Sequence, residues 1–144
     1  MFIDFVLVIS SILIVVSDLK HRRISNTMVA ISAIACISLA LTNESLGFHS
    51  LQSLFVLFIG LFLFKLGVIA AGDTKLLSVY ALIIDPIYFP ASLVLIGITG
   101  GVVTFPILLR KLISKKSNEH DRGIPYGIPI VISGMFGIYL SKLS

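Results

Sequence analysis

The sequence predicts an all-α membrane protein with six transmembrane helices, and three observations support that prediction. Of its 144 residues, 57% are hydrophobic and 12% are charged, whereas soluble domains carry roughly 25% charged residues. The apolar residues form continuous runs, which are typical of helices and not of the alternating strands of a membrane barrel. The basic residues lie almost entirely on alternate connections. A disordered chain is excluded, and a single integral-membrane domain over residues 1–144 is expected.

Six apolar runs define the expected helices. The first run follows a start without basic residues, which indicates a retained helix and not a cleavable signal peptide. A spanning helix needs about 20 residues, so the shorter runs must include interfacial residues. The fourth run is the weakest because Asp85 precedes a proline near its far end, where helix is disfavoured. The segments are Phe2–Ser17, Thr27–Thr42, Leu51–Val68, Lys75–Tyr88, Ala91–Leu109 and Gly127–Leu140.

Lysine and arginine predict the orientation of the chain. Ten of the eleven such residues lie on the first, third and fifth connections, and only Lys142 lies elsewhere. Cytoplasmic connections of membrane proteins carry the excess of basic residues. We therefore expect a multi-pass protein of the plasma membrane with these connections in the cytoplasm and both termini outside. The basic clusters are expected to contact anionic lipid, and no nucleic-acid partner is predicted.

Two aspartates occupy matched positions at the cytoplasmic ends of these segments. Asp18 ends the first run, and Asp73 precedes the fourth. A carboxylate at the edge of the hydrocarbon is costly and by default indicates a functional site. Two at one depth suggest a pair in which an ionised carboxyl activates water and a protonated one polarises a carbonyl. That is the chemistry of an aspartic protease, which needs no metal and no cofactor.

Each aspartate also has a structural interpretation. Asp18 could be a surface residue paired with Lys20 or Arg22, although the helix dipole disfavours an anion at a helix C-terminus. Asp73 could be the N-cap of its helix, with Gly72 providing a tight turn before it. The matched topology of the two aspartates favours the catalytic interpretation over two separate structural ones.

Other catalytic and metal-binding patterns are missing from the sequence. The three histidines lie on different connections without the spacing of a zinc site. There is no Gly-x-Ser-x-Gly segment. The single cysteine, Cys36, lies in an apolar run, so it forms neither a disulfide framework nor a metal knuckle.

The two aspartate segments resemble motifs of the type IV prepilin peptidases. Residues Asp18–Asn26 resemble the family's first motif, in which an aspartate ends helix 1 and basic residues lead to Ile-Pro-Asn. Residues Gly72–Lys75 resemble the second motif, Gly-x-Gly-Asp followed by lysine, and Pro125–Gly127 resembles the segment before the last helix. Two positions depart from the family: Ala70 replaces the first glycine of Gly-x-Gly-Asp, and Ser25 replaces a frequent proline. Neither change removes a carboxylate.

The resemblance extends over the whole chain and implies a peptidase that removes the basic leader of a prepilin-like protein at the cytoplasmic membrane face. Asp18 and Asp73 match the catalytic aspartates. The candidate supporting residues are Lys20, Gly72, Lys75 and Tyr126, and Lys75 could pair with Asp73 or with lipid phosphate. Bifunctional members carry an additional domain with paired Cys-x-x-Cys motifs. With one cysteine, this chain resembles the short peptidase-only type, similar to those of Tad-type pili and archaeal flagella-like filaments.

The competing hypothesis is a non-catalytic membrane scaffold or small transporter in a pilus or secretion system. A transporter is expected to carry ionisable groups near the bilayer midplane, and the apolar runs contain none there. For a peptidase, helices 1 and 4 should instead pack so that Asp18 and Asp73 face one cytoplasmic cavity. The long fifth connection, Arg110–Tyr126, is then expected to be mobile over that site.

The orientation can be tested by cysteine labelling in intact cells. We expect a membrane-impermeant reagent to label Ser45→Cys, on the second connection, and to leave Ser117→Cys, on the fifth, unlabelled because that connection is cytoplasmic. Labelling of position 117 from outside would overturn the predicted orientation.

Overall fold

A computed structural model shows the chain as a bundle of six α-helices. It describes residues 2–21, 24–42, 46–113 and 126–143. The helices are α1 (Phe2–His21), α2 (Asn26–Thr42), α3 (Leu46–Lys65), α4 (Ala71–Ala81), α5 (Phe89–Ile113) and α6 (Gly127–Leu143). These ranges contain no strand, which confirms the all-α prediction. Most of the fifth connection, which we expected to be mobile over the site, lies outside the described residues.

Three helices are long and apolar enough to cross a bilayer: α1, α3 from Gly47, and α5 as far as Ile107. The apolar helices α2 and α6 have 17 residues each, which corresponds to about 26 Å. Helix α4 has 11 residues, or about 16 Å, which is too short to cross a hydrocarbon core of about 30 Å unaided. The described helices therefore comprise three candidate spans of full length and three shorter helices.

Helix α4 departs most from the sequence expectation. The predicted segment was Lys75–Tyr88, whereas the helix spans Ala71–Ala81, so the prediction was wrong at both ends. At the far end the chain turns, because the Asp85 N–H donates to Ser141 Oγ at 2.8 Å and the Ile87 N–H donates to Asp85 Oδ1 at 2.9 Å. This side-chain-to-backbone bond stabilises a turn in place of a helix.

The other five runs each contain a helix, with ends displaced from the predicted positions. The displacement matters most in α1, which continues to His21, beyond the predicted end at Ser17. Asp18 therefore lies within the last turn of α1, on a regular backbone. Its side chain is fixed by helix geometry and not by a loop.

The core of the bundle is formed by α1, α2, α4 and α6 around Tyr80. Helix α4 packs against α2, α3 and α6, while α1 packs against α2 and α6. The Tyr80 side chain is fully buried, and its hydroxyl shares a hydrogen bond of 2.7 Å with Ser11 Oγ on α1. A second interhelical bond, 2.9 Å long, runs from Ser32 on α2 to Ser10 on α1. Such bonds orient helices whose surroundings are otherwise apolar.

Helix α3 satisfies the backbone at the C-terminal end of α4. Gln52 Nε2 donates to the carbonyls of Ala81 and Ile84, both at 3.1 Å. Ser53 Oγ donates to the Ser78 carbonyl at 2.7 Å. Carbonyls at a helix end have no partner within the helix, and in hydrocarbon an unpaired one costs several kcal/mol. These contacts explain how a short helix followed by irregular chain is accommodated inside the bundle.

The first and last helices are joined at one end of the bundle. Lys142 near the end of α6 forms an ion pair with Asp4 in the first turn of α1. Both side chains are partly exposed, so the pair stabilises the fold only slightly. It does show that the start of α1 and the end of α6 lie side by side.

The packing of α6 on Tyr80 gives a stability test. A Cβ on Gly134 would lie 2.5 Å from Tyr80 Cδ2, so Gly134→Ala overpacks the core, at a typical cost of about 1–3 kcal/mol. We expect thermal unfolding in detergent to show a melting temperature lower by several degrees. Gly97→Ala is the matched control because nothing lies within 4 Å of its Cβ position. Equal melting temperatures for the two variants would contradict this account of the core.

Candidate active site

The first aspartate is buried beneath the start of α6. Asp18 is only 5% exposed, which excludes its interpretation as a surface residue. Its Oδ2 accepts a hydrogen bond of 2.9 Å from the backbone N–H of Gly127, the first residue of α6. A Cβ on Gly127 would lie 2.7 Å from that oxygen and 3.0 Å from Asp18 Cγ. Only glycine at position 127 therefore allows the Asp18 carboxyl to accept this hydrogen bond without a shift of α1 or α6.

The second aspartate lies in the first turn of α4 and is not its N-cap. The N-cap is Ala70, which is extended at φ −76° and ψ 148° and has no side-chain cap. Asp73 is 6% exposed, and its carboxylate hydrogen-bonds to the backbone of Ala70. A carboxyl that reaches back to the N-cap in this way makes half of a capping box. The N-cap interpretation is therefore wrong, because Asp73 is the third residue of the helix. Its bond to Ala70 nevertheless stabilises the first turn.

The two carboxyl groups influence each other electrostatically. Asp73 lies outside the three candidate spans. Burial, and to a smaller extent the Asp18 carboxylate, raise the pKa of Asp73 to about 7, although the bond to Ala70 acts in the opposite direction. The protonated form of Asp73 is therefore populated well above the pH at which an ordinary aspartate loses its proton. The fold brings together two carboxyls from α1 and α4 that are far apart in the chain.

The start of α4 is attached to the segment that follows α1. A Cβ on Gly72 would lie 3.2 Å from Ile24 Cβ, so the two backbones approach closely there. Lys75 Nζ donates to Asn26 Oδ1 at 3.1 Å, which gives this lysine an amide partner. Of the candidate supporting residues, Gly72 and Lys75 thus hold the two aspartate-bearing segments against each other.

The remaining candidate supporting residues lie at the edge of this arrangement. Lys20 is an exposed residue in the last turn of α1. The Tyr126 ring lies 3.5 Å from the Cβ position of Gly100 on α5, so Tyr126 links α5 to the start of α6. The next residue in the chain, Gly127, donates its backbone N–H to Asp18. Sequence reasoning missed Gly127 because a backbone donor has no side-chain signature, and the only signal was its place in the Pro-Tyr-Gly segment.

The site contains carboxyls and backbone donors but no set of metal ligands. Within the described ranges, no group of three or more His, Cys, Asp or Glu side chains is placed to hold a metal ion. Two buried carboxyls that share protons are suited to acid–base chemistry on a carbonyl group. Both are nearly covered, so the expected cytoplasmic cavity is not open around them.

A comparison with protein families places this helical membrane-type bundle with the peptidases. Residues 5–105 match the model of the type IV leader peptidase family. The chain belongs to the type IV leader peptidase family, which confirms the resemblance found in its motifs. The matched region contains Asp18 and Asp73 and ends before Gly127. No curated protein and no solved structure matches the chain.

The raised pKa of Asp73 gives a pH-dependent stability with a definite sign. The folded pKa is about 7 and the ordinary value is 3.8, so between these values the folded state binds more protons than the unfolded state. Stability must then fall as pH rises through this window. We expect the melting temperature of the wild type to drop more between pH 5 and pH 8 than that of Asp73→Asn.

Asp85→Asn is the control for this measurement because Asp85 lies in the turn that follows α4, at the opposite end of the helix from Asp73. Its melting temperature should follow the wild-type curve with pH. If the melting temperatures of the wild type and Asp73→Asn changed equally with pH, the pKa of Asp73 would not be raised in the folded protein.

Proposed function

We propose that this chain is a membrane aspartic endopeptidase that removes the basic leader from type IV prepilin-like precursors. Asp18 and Asp73 are its catalytic pair. The observation that carries the proposal is the electrostatic coupling of two buried carboxyls, drawn from different helices within the region that matches the family. Membership of a leader peptidase family supports the reaction class, and the pair provides groups able to perform it.

The reaction needs one ionised and one protonated carboxyl. A water molecule within about 3 Å of both groups loses a proton to the ionised carboxyl as its oxygen attacks the scissile carbonyl carbon. The protonated carboxyl gives its proton to the carbonyl oxygen, which yields a neutral tetrahedral diol. The C–N bond then breaks. The leaving nitrogen takes the proton held by the first carboxyl, and a diol hydroxyl returns its proton to the second.

The proposed substrate fits the position of the pair in the chain. A prepilin-like precursor has a basic leader in the cytoplasm followed by an apolar helix in the bilayer, so its scissile bond lies at the cytoplasmic interface. Asp18 lies at the end of α1 and Asp73 at the start of α4, which six alternating passes would place on the cytoplasmic side. The Asp4–Lys142 pair would then lie at the outer side with both termini.

The burial of both carboxyls supports a gated site. At 5% and 6% exposure, neither carboxyl can receive an extended peptide without a movement of neighbouring segments. Closure of this kind keeps bulk water away from the carboxyls until substrate binds. The reaction proposed for this chain is peptide cleavage, and its single cysteine, Cys36, is a free side chain buried in the core.

One observation favours the competing hypothesis of a non-catalytic scaffold. The bond between the Asp73 carboxylate and the Ala70 backbone gives Asp73 a structural role at the start of α4. A scaffold would need this contact but no proton exchange between the carboxyls. An asparagine retains an acceptor oxygen for Ala70 and cannot exchange protons, so Asp73→Asn separates the two functions.

Substitution of either aspartate tests the proposal. We expect Asp18→Asn and Asp73→Asn each to abolish leader removal while the protein still inserts and accumulates, because an amide can neither take up nor release the proton. The measurement is co-expression with candidate prepilin-like precursors, with leader loss scored by mass spectrometry. Asp4→Asn and Asp85→Asn are controls that should stay active. Near-normal turnover in either test variant would assign that aspartate a structural role.

A further inference from the structure

We propose that Gly127 is a positioning residue that fixes the carboxyl of Asp18 within the catalytic pair through its backbone N–H. The inference rests on the proposed function of the pair and adds a residue that positions one of its two members. It makes the first turn of α6 part of the catalytic apparatus, although the family match ends before that helix.

The contact between Gly127 and Asp18 is a short, buried hydrogen bond at a position that has no room for a Cβ. The N–H to Oδ2 distance is 2.9 Å, and the bond is buried. The Asp18 side chain approaches the backbone so closely that a Cβ added to Gly127 would overlap three of its atoms, the nearest at 2.7 Å. One oxygen of Asp18 is thereby fixed on the backbone, which restricts the orientation of the whole carboxyl.

The start of α6 also offsets the unfavourable position of Asp18 at the end of α1. At the C-terminal end of its own helix, the α1 dipole disfavours an anion, but the N-terminus of α6 presents its positive end to the same carboxyl. A backbone N–H that donates to a carboxylate stabilises the charged form. The placement of Asp18 against α6 thus compensates for its unfavourable position on α1.

Asp73 has a backbone partner of its own, because its carboxyl hydrogen-bonds to Ala70 at the start of α4. Each member of the pair is therefore held by a helix start, Asp18 by that of α6 and Asp73 by that of its own helix.

The described elements around Asp18 carry titratable groups on α1 and α4. On α1, Lys20 and His21 follow Asp18 in the last turn. On α4, the Asp73 carboxyl interacts electrostatically with Asp18, and Lys75 donates to Asn26 at the start of α2. Helix α6 has no titratable side chain in its first turn.

Kinetics of the purified full chain in detergent provide the main test. Gly127→Ala should lower kcat for leader cleavage on the order of 100-fold, since small displacements of a catalytic group have effects of that size, with KM near the wild-type value. The rate–pH profile should also move, because one member of the carboxyl pair loses a hydrogen-bond donor and the two groups titrate together. Gly134→Ala introduces a similar clash, but against Tyr80, and should lower stability while the folded fraction keeps the wild-type kcat and pH profile.

Two outcomes would overturn the inference. One is wild-type kcat and an unmoved pH profile in folded Gly127→Ala. The other is an equal loss of kcat in Gly134→Ala, which would show that any distortion of α6 has the same effect. If Gly127→Ala does not fold, glycolic acid introduced at position 127 by cell-free translation removes the N–H and adds no bulk. This ester variant should show the same loss of kcat, and wild-type activity in it would equally overturn the inference.

A measurement without catalysis separates this inference from the proposed function. In glycine-selective ¹⁵N spectra of the protein in micelles, the Gly127 amide can be assigned by its disappearance in Gly127→Ala. We expect its proton resonance to move upfield in Asp18→Asn, because an amide oxygen is a weaker acceptor than a carboxylate, and to stay in place in Asp85→Asn. A resonance unchanged in Asp18→Asn would refute the contact. A shifted resonance in a protein that cleaves no precursor would refute the proposed function alone.

Discussion

The burial of two carboxyl groups at one end of an apolar bundle is the constraint on which the rest of the structure depends. An ionised carboxylate removed from water without partners is very costly. Two features of the fold reduce this free-energy cost. Each carboxyl has a backbone hydrogen-bond partner, Gly127 for Asp18 and Ala70 for Asp73. In addition, a proton retained by Asp73 reduces the net negative charge of the pair. The bond from Gly127 requires the start of α6 to meet the end of α1, whereas the bond from Ala70 is local to the start of α4.

The helices divide into a core and a periphery that serve this requirement differently. The core helices α1, α2, α4 and α6 carry the carboxyls and the buried hydrogen bonds of Tyr80 and Ser32. Helices α3 and α5 lie outside that core. Helix α3 supports α4 through Gln52 and through close contact of Gly60 with Thr74, the residue after Asp73. The periphery therefore fixes the helix that carries one carboxyl without contributing a carboxyl of its own.

The sequence predicts the parts of this arrangement that depend on hydropathy and topology. Continuous apolar runs locate five of the helices because burial in an apolar environment needs no other signal, and matched positions relative to those runs bring Asp18 and Asp73 together. The bounds of α4 were not predictable, since its end is determined by contacts with Ser141 and Gln52 from distant segments. The support of Asp18 by Gly127 escaped prediction because it uses a backbone N–H, which every residue except proline possesses.

The ion pair between Asp4 and Lys142 has a consequence for the connectivity of the fold. With the start of α1 beside the end of α6, a short linker could join the first turn of α1 to the last turn of α6, and new ends could be opened in a surface connection. In such a circular permutant each helix would keep the same packing neighbours, while the order in which the helices are synthesised would change. The carboxyl pair depends on helix packing and not on that order. The permutant would therefore show whether the fold is reached independently of the order in which its helices are inserted.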